Sequence, residues 1–265
     1  MVVYSWKGER LAEHSYLVLR LYCGIFGQRH EKLIANRLNV DIKPVLETTR
    51  IACILHDVGK ALKKFQLSAR QGGSFRFHEV ISAFFTYDTL CNVLSDTDVV
   101  LRYQLSFAAA YAVIQHHQAM RGGLWKVLEK SFEVLPLDSG IDEGLVDEIA
   151  MAVQMTTHLF DASKALEVFK ERVEEVSKQG LKRKLQEFKF YFKDWINQGI
   201  PRNIHSGKTK SWGEAWEKLQ LTLPLFVAPL QLCDHLAAFI TRGGKGRRLH
   251  REALSLLRRV PLNLS

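Results

Sequence analysis

The sequence predicts an all-α protein, on three observations. Apolar residues recur at helical spacing nearly everywhere, no stretch of any length alternates with the two-residue period of a strand, and only 6 Pro and 17 Gly interrupt 265 residues. In the first helical stretch, Leu11, Val18, Leu19, Tyr22 and Phe26 form one stripe, and Gly27 can end it. Pro44 suits a first helical turn, and Val45, Ile51, Ile54 and Leu55 follow before Gly59 breaks the run. A third helix runs from His78 to Leu94 with Val80, Ile81, Phe84 and Phe85 inward. A fourth runs from Leu101 to His117 and ends in the turn Arg121-Gly122-Gly123. Residues from about 141 to 198 read as long charged amphipathic helices, a loop follows over 199–209, and an apolar helix covers Leu223 to Ile240. The expected organisation is one domain over 1–241, carrying a helical insertion at about 125–215 before its last core helix. A basic tail occupies 242–265.

A hydrophobic fraction of 47% with 25% charged residues excludes wholesale disorder. Met1 to Lys7 lacks the apolar core of a secretory signal, and no stretch approaches the roughly 18 apolar residues of a membrane span. The expected location is therefore cytoplasmic, with no membrane partner. Lys and Arg total 37 against 28 Asp and Glu, a net charge of +9, which suits polyanions such as nucleic acid. Cys23, Cys53, Cys91 and Cys233 are far apart, form no C-x-x-C pair and read as reduced, apolar-neighboured side chains rather than zinc ligands.

The chemistry-bearing residues are histidines and aspartates at helix ends and in apolar segments. His14 lies in the first helix. His56-Asp57 ends the second, just before Val58-Gly59-Lys60. His78 opens the third and His116-His117 closes the fourth. Asp234 interrupts the apolar last helix. An ionised carboxylate in such surroundings is costly unless paired or metal-bound. Imidazole with carboxylate is a ligand set for divalent transition metals, and carboxylates also suit manganese or magnesium. Adjacent helical residues diverge by about 100°, so His56 and Asp57 cannot both aim at one point from a helix middle. At a helix end they can straddle two ions, with the two Asp57 oxygens bridging them.

This ordered series resembles the HD phosphohydrolase superfamily, and more closely the stand-alone HD nuclease of type I CRISPR interference systems. His56-Asp57-x-Gly59-Lys60 followed by Phe65-Gln66 is similar to that family's first signature, His78-Glu79-x-x-Ser82-Ala83 to its second and His116-His117 to its third. The resemblance runs from about Ser5 to Ala238 and is patchy over 125–215. It departs at Phe77, where the family often has arginine, with Arg76 one place earlier.

The resemblance implies one divalent ion on His14, His56, Asp57 and Asp234, and a second on Asp57, His78, His116 and His117. Lys60 would lie beside them to neutralise transition-state charge, and the metal could be Mn, Mg, Ni, Co or Fe. It also implies cleavage of DNA, chiefly single-stranded, without ATP, in company with a separate CRISPR helicase subunit and a guide-RNA surveillance complex. Two other functions stay open at this stage: an HD-type phosphohydrolase acting on small nucleotides, and a non-enzymatic basic helical adaptor recruiting the helicase.

Other features have blander readings. Ser206-Gly207-Lys208-Thr209 lacks the preceding glycine of a P-loop, since Arg202 stands there, and no strand leads into it. Lys60 could be a favourable charge at a helix C-terminus. The tail from Arg242 through Arg259 could follow a DNA backbone, or form an amphipathic helix with solvated arginines. Trp212 and Trp216, four apart, suit a buried helix face. His235 reads as a supporting residue, and His30, His158, His205 and His250 read as surface residues.

Overall fold

The computed structural model describes residues 2–69, 75–117, 124–198 and 209–242. Its elements in chain order begin with β1 (Tyr4–Trp6), β2 (Glu9–Arg10), α1 (Leu11–Ile25), α2 (Gly27–Leu38), α3 (Ile42–Leu55), a 3-10 turn (Val58–Ala61) and α4 (Lys63–Ala69). They continue with α5 (His78–Val93), α6 (Val99–Gln115), α7 (Leu124–Val134), a 3-10 turn (Leu137–Ser139), α8 (Leu145–Thr156), α9 (Ser163–Gln179), α10 (Leu181–Gln198) and α11 (Thr209–Thr241). The all-α reading holds. It needs one correction: β1 and β2 pair antiparallel in a small hairpin, too short to leave an alternation in the sequence.

Gly27 ends the first helix as expected, but a second helix follows at once. At φ 48° the glycine adopts a left-handed backbone that a side chain would strain, and this turns the chain from α1 into α2. The sequence reading overlooks α2 because few of its residues are apolar. It closes on Asn39, in the left-handed conformation that commonly ends helices. Asp98 starts α6 by accepting hydrogen bonds from the Val100 and Leu101 amides.

The core is an α5–α6 pair, with α11 against α6 and α1, α3 beneath, and α8 against α1. The stretch 141–198, read as long charged amphipathic helices, holds α8, α9 and α10, the last two parted at Gly180 with φ 90°. Helix α9 packs on α5 and α8. Helix α10 seats Phe188, Phe192 and Trp195 against Phe84 and Phe107, at 4.9 Å for Phe107–Phe192 and 5.1 Å for Phe107–Trp195. Each such ring stabilises the fold by roughly 2–3 kcal/mol. Trp216 joins the same aromatic cluster, 5.7 Å from Trp195; the side chain of Trp212 lies outside the described residues.

The last helix begins well before the expected Leu223 and continues through Pro224 and Pro229. Its segment Gly213–Thr241 is long and apolar enough, by length and composition, to cross a membrane, which corrects the reading that no stretch approaches a span. In the fold it lies against α1, α2 and α6 and carries Asp234 among them. His30 is no plain surface residue either: half-buried, its Nε2 is 2.7 Å from the Leu225 carbonyl of this helix. His158 is exposed, whereas His205, His250, the loop 199–208, the turn 121–123 and the tail beyond Arg242 fall outside the described residues.

Candidate metal centre

Five helices and the 3-10 turn deliver the seven histidine and aspartate side chains to one buried point. His14 projects from α1, and His56 caps α3 with Asp57 beginning the 3-10 turn. His78 opens α5, His116 caps α6 with His117 next to it, and Asp234 comes from α11. His14, His56, Asp57 and His116 are fully buried; His78 and Asp234 are nearly so, and the His117 side chain is 22% exposed.

Ligand atoms within 4.8 Å of one another form two overlapping groups. One is His14, His56, Asp57 and Asp234; the other is Asp57, His78, His116 and His117. Asp57 belongs to both because its oxygens point opposite ways. Oδ2 lies 3.3 Å from His14 Nε2 and 3.6 Å from His56 Nε2, while Oδ1 lies 2.9 Å from His78 Nε2 and 3.8 Å from His116 Nε2. A third group, His117, Asp234 and His235, adds the exposed ring of His235 at the rim.

Four rings are held from behind. Nδ1 faces the Cys53 carbonyl in His56, the Phe75 carbonyl in His78 and the Val113 carbonyl in His116, at 2.9, 2.7 and 2.5 Å; in His14 it faces Glu9 Oε1 at 3.0 Å. Each oxygen accepts the Nδ1 proton, so the neutral ring turns an Nε2 lone pair inward. The inward nitrogens crowd together: His14 Nε2 is 3.3 Å from His56 Nε2 and 3.0 Å from Asp234 Oδ1, and His116 Nε2, fully buried, has no hydrogen-bond partner among the described residues. Such convergence is favourable only with protons or cations among the atoms, and these donors fit divalent metal ions.

The charges are arranged accordingly. Burial opposes ionisation of Asp57, yet the positive charge of Lys60 and its neighbouring imidazoles hold its carboxyl well below the usual range. Burial likewise opposes ionisation of Asp234, and hydrogen bonds from His14 and His56 overcome it. Burial disfavours a charged His14, but hydrogen bonding to Asp234 and Glu9 raises its pKa to about 9. Desolvation lowers the His56 pKa and, with the charges of His116 and His78, that of His117. A metal ion held by His14 would have to displace its proton, so metal affinity should fall as pH drops below about 9. Titration calorimetry at pH 7 in buffers of different ionisation heats checks this, by the proton released on metal uptake.

Lys60 is 5% exposed, with Nζ 2.5 Å from Asp57 Oδ2 and 5.5 Å from the Phe75 ring centroid. It is buried among the candidate site residues, just beyond the end of α3. The flanking signature residues are fasteners. Gln66 Nε2 donates to the Lys60 and Tyr4 carbonyls, and its Oε1 accepts the Tyr4 amide, sewing the hairpin to the Lys60 turn. Ser82 Oγ accepts the Gly59 amide at 2.9 Å. A Cβ on Gly59 would stand 2.0 Å from the His78 carbonyl oxygen, so only glycine lets the two ligand-bearing segments approach. Gly59→Ala should destabilise the fold by about 3 kcal/mol, measured by denaturant unfolding.

Glu9 is the residue the sequence reading missed. Its buried carboxylate receives His14 Nδ1, the Thr241 hydroxyl at 2.5 Å and the Arg242 guanidinium at 2.8 and 3.0 Å, joining the hairpin and the end of α11 behind one ligand. Hydrogen bonds lower its pKa to about 2, against the opposing effect of burial. A carboxylate five residues before a histidine carries no sequence signal of its own. Glu9→Ala should weaken metal binding roughly 10- to 100-fold, read by equilibrium dialysis.

An all-α scaffold wrapped around two overlapping His/Asp groups defines the class: a helical domain whose buried centre carries a donor set that could hold divalent metal. The HD domain family model matches residues 12–134, a little under half of the chain. Over 139 residues it is 30% identical to the CRISPR-associated endonuclease Cas3-HD of Methanocaldococcus jannaschii. The match covers 49% of this chain and about half, 54%, of that curated relative. Its structure is also similar to the CRISPR-associated Cas3 HD domain protein of the same organism, with a TM-score of 0.49 and 21% identity over 87% of this chain and 99% of that one. The HD match ends before Asp234, which the fold returns to the site from a distant helix.

Proposed function

We propose that this chain is a metal-dependent HD-type hydrolase that cuts phosphodiester bonds in DNA, preferring single strands. In this reading it is the nuclease component of CRISPR interference, working in the cytoplasm with a separate helicase subunit and a guide-RNA surveillance complex. The observation that carries the chemistry is the division of the two Asp57 oxygens between two histidine sets. The CRISPR setting rests on the kinship with the archaeal endonuclease and on the signature residues.

Two divalent ions fit the donor set, one on His14, His56, Asp57 and Asp234, the other on Asp57, His78, His116 and His117. The preponderance of imidazole favours manganese, nickel, cobalt or iron over magnesium. Bound there, the ions supply Lewis acidity toward water and a phosphodiester oxygen. The protein does the rest. The Nδ1 anchors fix the rings before substrate arrives, and burial keeps bulk water from competing for the ligands. Lys60, already beside Asp57, neutralises charge that builds on the phosphorus oxygens. No nucleotide cofactor is needed.

The test is cleavage of an end-labelled single-stranded DNA by wild type and Asp57→Ala, with manganese and with EDTA. Cutting that needs manganese and disappears in the variant is the expected result. Failure to cut DNA, with release of phosphate products from small nucleotides, would replace the nuclease by a nucleotide phosphohydrolase.

A further inference from the structure

The hairpin that carries Glu9 also carries Trp6, whose large ring is 37% exposed at the end of β1. A single exposed aromatic is ordinary on a protein surface. This one is connected to the metal centre by a run of ring contacts. Its centroid is 6.4 Å from that of Phe75, Phe75 is 6.5 Å from His78, and Lys60 Nζ lies 5.5 Å over Phe75. A few stacked nucleotides, at about 3.4 Å each, cover the distance from Trp6 to the ligands.

One cation lies over the ring, and two exposed ones neighbour Trp6 and Phe75 in the chain. Arg242 lies 4.9 Å from its centroid, Lys7 is exposed next to it on the turn, and Arg76 is exposed next to Phe75. Glu9, opposite Trp6 across the hairpin, is buried and engaged by His14, Thr241 and Arg242. The platform is held from beneath, because Gln66 clamps the Tyr4 backbone two residues away to the Lys60 turn. A fixed aromatic face flanked by positive charge is the arrangement on which single-stranded nucleic acid stacks its bases while its phosphates meet the cations.

We infer that Trp6 stacks a nucleobase of the bound strand a few nucleotides from the bond being cut, with Lys7 and Arg76 beside its phosphates. This rests on the reading of the chain as a single-strand nuclease and adds to it the residue that seats the strand. Trp6 acts on binding and alignment, and takes no part in bond breaking.

The test is fluorescence anisotropy of a labelled oligothymidylate with the full chain in EDTA, which stops cutting, for wild type, Trp6→Leu and Trp6→Phe. Trp6→Leu should raise Kd about tenfold, and Trp6→Phe, which keeps an aromatic face, should raise it only a few-fold. Manganese stoichiometry equal to wild type shows that the leucine variant has kept its centre. If the leucine variant does not fold, tryptophan quenching by the oligonucleotide is compared between wild type and Trp6→Phe, where the Trp6 contribution should be missing. Trp6→Leu binding as tightly as wild type, or equal quenching in Trp6→Phe, overturns the assignment while the nuclease reading stands. A wild type that hydrolyses small nucleotides and never cuts DNA removes both.

Discussion

Asp57→Ala should lose both metal ions and fall in DNA cleavage by at least about a thousandfold, since it deletes the one carboxylate common to the two ligand groups. It should also destabilise the metal-free protein. Lys60, 5% exposed, is left as a buried ammonium without its carboxylate, and breaking a buried pair costs about 3–5 kcal/mol. The two effects separate in the double variant Asp57→Asn with Lys60→Met, where neither charge remains. Its stability in denaturant should recover most of the loss, while its cleavage stays absent. A double variant as unstable as Asp57→Ala would mean that the carboxylate supports the fold by something other than Lys60.

Single-group variants should divide the site. Asp234→Ala removes a ligand from the His14 group and His78→Ala one from the other, so each should bind one manganese ion where the wild type binds two. Cleavage should fall about 10²- to 10³-fold in each, the scale of losing one contact that stabilises transition-state charge. Combining them should abolish binding, as Asp57→Ala does alone. If both single variants kept two ions, the groups would not be the coordination spheres. If either lost both, the ions would bind as one cooperative unit.

Much of this arrangement was legible in the sequence, for a physical reason. Buried carboxylates and imidazoles are expensive, so Asp234 in an apolar helix or His56-Asp57 at the end of another announces that something compensates them. The helices read easily where apolar residues dominate, along one stripe in α1 and nearly all round in α5 and α6. Helix α2 was lost because only Ile34, Ala35 and Leu38 of its inward residues are apolar, and the hairpin because five strand residues make no period. Gly180 was passed over since charged residues continue on both sides of it.

The supporting layer was the least legible part. Three of the four ring anchors are backbone carbonyls at Cys53, Phe75 and Val113, and a carbonyl leaves no trace in residue identity. Glu9 is a side chain, but its partners Thr241 and Arg242 stand more than two hundred residues away. Only the folded chain brings them together. Gln66 and Ser82 are intermediate cases: they are visible as parts of signatures, and their work as clamps on Tyr4, Lys60 and Gly59 appears only in three dimensions.

The most direct test of a centre bridged by Asp57 is the manganese content of the dialysed wild-type protein, read together with its electron paramagnetic resonance spectrum. Two ions per chain with a spin-coupled signal, as for metals about 3.5–4 Å apart, is the expected result. A single ion, or two with the spectrum of isolated manganese, would contradict it.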